Sequence, residues 1–84
     1  MERNLKVKRI KFLASRRSSS EMEILLGRFL ESLDLESLED KELDRILSLL
    51  SLLDTELKDY VYGLRDVPKD FEDLVLKLRN LNQP

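Results

Sequence analysis

The chain has 84 residues, with 17 acidic against 15 basic side chains, a formal charge of −2, and 42% hydrophobic and 38% charged residues. That is enough for one small domain with a modest core, and too little for a deep, closed substrate pocket. There is no Cys and no His, which excludes disulfide staples, thiolate or imidazole nucleophiles, Ser-His-Asp triads and Cys or His metal sites; binding, not catalysis, is the expected mode of action.

No stretch approaches the roughly 20 apolar residues that a membrane span needs; the richest run, residues 46–53, is broken by Ser48 and Ser51. Residues 1–17 lack the continuous apolar block of a secretory signal. The expectation is a mature intracellular protein that does not enter the bilayer, and the absence of Cys agrees with a reducing compartment. The small net charge hides a division: residues 1–17 carry Arg3, Lys6, Lys8, Arg9, Lys11, Arg16 and Arg17 against Glu2, or +6, and residues 18–84 carry −8. A cationic end on an anionic body can meet an acidic partner, a phosphate-rich surface or the same protein's own acidic helices, and the sequence does not choose among them.

Twenty leucines against two glycines and two prolines make a helical composition. The first expected helix covers residues 4–15, with Leu5, Ile10, Phe12 and Leu13 as an imperfect apolar face. A second follows the serine run, where Ser18 with Glu21 or Ser20 with Glu23 has capping-box spacing. Its stripe, Met22, Leu25, Leu26, Phe29, Leu30 and Leu33, follows helical spacing throughout. Residues 34–39 read as a connection. Leu43, Ile46, Leu47 and Leu50 then form a central helix, widened by Leu49, Leu52 and Leu53. Asp54 is expected to N-cap a short fourth helix with the face Leu57, Tyr60, Val61 and Leu64, ended by Gly63. After Pro68 a last helix from residue 69 or 70 to 80 turns Phe71, Leu74, Val75 and Leu78 inward, and residues 81–84 fray. The expected fold is all-α, one domain over residues 1–84, a compact bundle of five short helices. Its core is expected to hold Leu25, Leu26, Phe29, Leu30, Leu43, Ile46, Leu47, Leu50, Leu57, Val61, Phe71, Leu74, Val75 and Leu78.

The acidic stretch 34–44 lacks the central glycine of an EF-hand loop and is interrupted by leucines; Glu39, Asp40 and Glu42 suit a helix start instead. Nucleic-acid binding by the basic segment lacks a stacking platform, and the anionic remainder would repel a polyanion. A membrane-surface role for residues 5–13 lacks Trp and has a narrow apolar face. More informative is the cluster Arg16-Arg17-Ser18-Ser19-Ser20-Glu21. An Arg17–Glu21 pair at i,i+4 and a serine cap would account for it structurally. Its position between a cationic segment and the best helix also lets arginines reach a partner's carboxylates or carbonyls.

This cluster, continued by Met22-Glu23-Ile24-Leu25-Leu26-Gly27-Arg28-Phe29, resembles the SdhE-type succinate dehydrogenase assembly factor, or flavinator, family. Residues 33–43 resemble that family's connection into its third helix. Residues 54–63 resemble its Asp-x-Asp-Leu-x-Asp-Trp-Leu-x-Gly segment, with Tyr60 where Trp is usual, so the similarity runs over about residues 9–68. The family hallmark, Arg-Gly-x-x-Glu, falls on Arg17, Ser18, Ser19, Ser20 and Glu21, with Ser18 replacing the glycine; Leu13 replaces the usual aromatic before it.

The resemblance implies a cytoplasmic, bacterial-type assembly factor, monomeric when free and not itself an enzyme. It would bind the flavoprotein subunit of succinate dehydrogenase or fumarate reductase and promote covalent FAD attachment to a histidine of that subunit. FAD would belong to the client, with no cofactor or metal held by this chain, and no glycine-rich dinucleotide fingerprint is present. Arg16, Arg17, Ser18 and Glu21 would contact the client, with Ser18 at the closest approach. The rival expectation is a generic helical interaction module that places its basic N-terminal segment on an acidic partner.

Overall fold

The computed structural model describes residues 2–83. Among them are five α-helices, α1 Arg3–Ser15, α2 Ser20–Glu31, α3 Asp40–Leu50, α4 Asp54–Val61 and α5 Glu72–Leu81, with a 3-10 turn Lys69–Phe71 before α5 and no strand. The protein is an all-α bundle. α1 lies across α3 and touches α2; α2 and α4 each pack on α5, and the 3-10 turn bridges α3 to α5. The shortest dimension is 22 Å, about two helix diameters, so every helix buries one stripe in a shared core.

Eleven of the fourteen expected core residues are buried, with Leu26, Phe29, Leu43, Leu50, Leu57 and Leu78 at no exposure at all. Leu30, Leu47 and Phe71 are only partly buried at its edge. Leu49 and Tyr60 complete the inner faces of α3 and α4, and Leu35 plugs the α2–α3 connection. Leu53 and Leu64 face solvent, 68% and 75% exposed. Gly63 explains the second: at φ 75° it takes a left-handed conformation that costs other residues more. The Gly63 and Leu64 amides donate back to the Tyr60 and Asp59 carbonyls at 3.3 and 2.8 Å. That pair of hydrogen bonds is a Schellman close, and it turns Leu64 off the helix.

α1 corrects the sequence reading most. Its buried side is Lys6, Val7, Ile10 and Ala14, while Leu5 and Phe12 are half exposed. Val7, Ile10 and Ala14 are three and four residues apart and so share one face, and the small Ala14 lets the helices approach. Lys6 lays its apolar stem on this side and brings its ammonium 2.9 Å from Asp44. α5 also differs: a 3-10 turn precedes it, and Leu81 is helical and partly buried instead of frayed; Pro84 lies outside the described residues.

Arginines tie the layers by donating to carbonyls at helix ends and in loops. Arg3 donates to Leu35 O and Glu36 O at 3.1 and 2.7 Å. Arg45 joins α3 to Asp70 O and the Asp73 carboxylate. Arg79 reaches Tyr60 O at 3.0 and 2.7 Å from two of its nitrogens.

Candidate partner-binding site

The turn between α1 and α2 carries the charged cluster, and its serines do not cap as expected. Ser19 is the N-cap of α2, its hydroxyl accepting from the Met22 amide at 3.4 Å. The third helical position is therefore Met22, and neither Ser18–Glu21 nor Ser20–Glu23 closes a capping box, which needs Glu or Gln there.

Arg17 is turned inward, its side chain 5% exposed. Its Nε donates to Asp54 Oδ1 at 2.6 Å, Nη1 to Leu13 O at 3.1 Å and Leu50 O at 2.8 Å, and Nη2 to Leu52 O at 2.8 Å. Leu13 and Leu50 belong to the last turns of α1 and α3, whose carbonyls have no donor within their helices; a cation there also meets the negative end of each helix dipole. Asp54, 8% exposed at its side chain, sits at the other end of the same pair. It is the first residue of α4, not its N-cap, and Leu53 in the cap position supplies no side-chain bond. The Asp54 Oδ2 accepts from the Ser18 amide at 2.9 Å, the Ser18 hydroxyl at 2.7 Å and the Ser19 amide at 3.1 Å. One ion pair thus gathers the C-terminal ends of α1 and α3 and the N-terminal ends of α2 and α4.

Burial by itself would push the Asp54 carboxyl up, but the Ser18 hydroxyl and the Arg17 guanidinium outweigh it and hold the group below its ordinary value of 3.8. The shift runs away from neutrality, which suits a permanent anion and not a proton-transferring group.

Arg17 and Glu21 do not pair and do not stand together. Glu21 is exposed, and its carboxylate accepts from the Tyr62 hydroxyl at the end of α4. Arg16 and Ser18 are also exposed, and the Arg16 guanidinium stacks 5.2 Å from the centre of the Phe12 ring, a cation–π distance. An open depression of about 240 Å³ separates Arg16 and Ser18 from Leu53. Ile24, one turn after Glu21, and Tyr62 are exposed on the neighbouring surface. Sequence reasoning missed Asp54 and Tyr62 as members of this site. The only signal for Asp54 was its place in the resembling segment; nothing local to residues 54 and 62 points to partners 35 to 41 positions away.

The chain is a small all-α protein whose exposed, charged α1–α2 turn is braced from beneath by a buried ion pair. No His or Cys is available for covalent chemistry, and no cluster of metal-ligating side chains occurs among the described residues. No helix there is long and apolar enough to cross a membrane. The sequence model of the family described as flavinator of succinate dehydrogenase matches residues 8–82. The chain belongs to that family of succinate dehydrogenase assembly factors. No curated protein and no solved structure matches it.

Proposed function

We propose that the chain binds the flavoprotein subunit of succinate dehydrogenase or fumarate reductase, in the cytoplasm and as a monomer when free, and promotes covalent attachment of FAD to a histidine of that subunit. The observation that carries this reading is the family match over residues 8–82, which spans the turn where Arg16, Ser18 and Glu21 are exposed over the Arg17–Asp54 pair. FAD and the client's histidine supply the reacting atoms, and the assembly factor supplies binding and orientation. Arg16 offers a planar donor to client carboxylates or carbonyls. Glu21 accepts client donors once the Tyr62 hydroxyl gives way. Ser18, whose hydroxyl is directed to Asp54, leaves its backbone at the closest approach. Arg17 acts from below as a positioning residue.

FAD stays with the client. The depression between α3 and the 3-10 turn, about 470 Å³, sets Asp44 and Asp70 against Lys41 and Arg45, so it offers a pyrophosphate no net positive charge.

Two measurements test the proposal: co-purification with the flavoprotein, and the fraction of covalent flavin in cells with and without the chain. Glu21→Ala is expected to weaken the complex without unfolding the bundle. Normal flavinylation in cells lacking the chain removes the function and leaves the fold untouched.

A further inference from the structure

The cations of the first 17 residues divide by direction. Arg3, Lys6 and Arg17 turn toward the body and take Asp40, Asp44 and Asp54. Lys8, Arg9, Lys11 and Arg16 are exposed, and among the described residues none of them lies within 4.0 Å of a carboxylate. The fold uses the first three and leaves the other four unexplained.

Three of the four share one face. Leu5, Lys8, Arg9, Phe12 and Arg16 follow helical spacing along one side of α1, continued by its C-cap. That side is opposite the buried Val7, Ile10 and Ala14; Lys11 lies off it, toward α2, beside Leu30. Leu5 and Phe12, 51% and 52% exposed, stand two turns apart, about 10 Å along the axis. Lys8 and Arg9 lie between them, and Arg16 rests over the Phe12 ring at 5.2 Å. A guanidinium held against a ring is already ordered before it meets a partner, which lowers the cost of binding.

We propose that this outward face of α1 is an interaction surface for an acidic amphipathic helix of another protein. Apolar side chains of that helix, two turns apart, rest on Leu5 and Phe12, and its carboxylates meet Lys8, Arg9 and Arg16. Charge complementarity selects an acidic occupant. The pattern selects a protein. The cations between Leu5 and Phe12 interrupt any continuous apolar strip that could enter a lipid boundary, and a nucleic acid backbone would leave both apolar side chains without a counterpart. With two apolar anchors the interface is small and transient.

The test uses the full chain, isotope-labelled for amide NMR. The probes are a synthetic helix with leucines two turns apart flanked by glutamates, a scrambled peptide of the same composition, vesicles of phosphatidylglycerol and phosphatidylcholine, and a DNA duplex. The patterned helix is expected to shift the amides of Leu5, Lys8, Arg9 and Phe12 saturably, and to bind about ten-fold tighter than the scrambled one. Phe12→Ser and the double variant Lys8→Glu, Arg9→Glu are each expected to weaken it about ten-fold, with unchanged circular dichroism. Equal binding of the scrambled peptide, no shifts on α1, or tighter binding to vesicle or duplex overturns the proposal. None of these outcomes depends on flavinylation.

Discussion

Asp54→Asn isolates the ion pair beneath the hallmark turn, because it keeps the shape of the side chain and removes its charge. The carboxylate now serves one donor at Oδ1 and three at Oδ2. An amide has a single accepting oxygen. Turned toward the serines, it sets its NH₂ against the Arg17 Nε–H; turned toward Arg17, it sets the NH₂ against two backbone amides. In either case a buried guanidinium loses its counter-charge, which costs about 3–5 kcal/mol when nothing else holds the cation. Arg17 keeps three carbonyl acceptors, so about 2–4 kcal/mol is expected, a large share of the roughly 4–13 kcal/mol typical of a chain this size. Urea unfolding followed by circular dichroism reads it directly, and the melting temperature should fall by about 10–30 °C. Glu31→Gln, exposed on α2, serves as control and should stay within about 0.5 kcal/mol.

The pH dependence adds an independent check. Because Asp54 titrates below 3.8 when folded, its stabilisation is fully present above that ordinary value and is lost as pH falls through the folded value. The gap between native protein and Asp54→Asn should hold from neutral pH down to about pH 4 and close below it. A gap under about 0.5 kcal/mol at neutral pH would refute the reasoning that this pair braces the four helix ends.

Ser18→Gly removes one hydroxyl bond to Asp54 and keeps both backbone amides on it, so a loss of about 0.5–1.5 kcal/mol in urea unfolding is expected, with complex formation retained. Gly63→Ala forces a Cβ into the left-handed conformation at φ 75° with open space around it; the cost is therefore backbone strain alone, about 1–2 kcal/mol by the same assay. The hydrogen bond to Glu21 raises the Tyr62 hydroxyl above its ordinary 10.0. An ultraviolet titration should show this tyrosine ionising late, and Glu21→Gln should bring it back.

Where burial follows from a regular stripe, the amino-acid order is enough. α2, α3 and α5 present their apolar residues at helical spacing, and their inner faces, Leu25, Leu26 and Phe29, Leu43, Ile46 and Leu50, and Leu74, Val75 and Leu78, are the ones the pattern marks. Gly63 ends α4 for a reason local to its own backbone. The same local reading fails on α1, because its inner side includes a lysine and an alanine whose burial depends on Asp44 and on the closeness of α3, neither of which the segment contains. It fails again at Asp54. A carboxylate before a helical stretch has the local pattern of a cap, and only the folded chain brings Arg17, Ser18 and Ser19 to it from across the bundle.

The cluster at residues 16–21 was therefore visible as a motif, but which of its charges face outward was not. Helical periodicity and turn residues are short-range properties carried by neighbouring positions, so the order of residues by itself determined the helices, the inner faces of α2, α3 and α5, and the family. The direction of Arg17, the partner of Glu21 and the division of cations on α1 rest on contacts between segments about 35 to 41 residues apart, and those distances are set only when the helices pack.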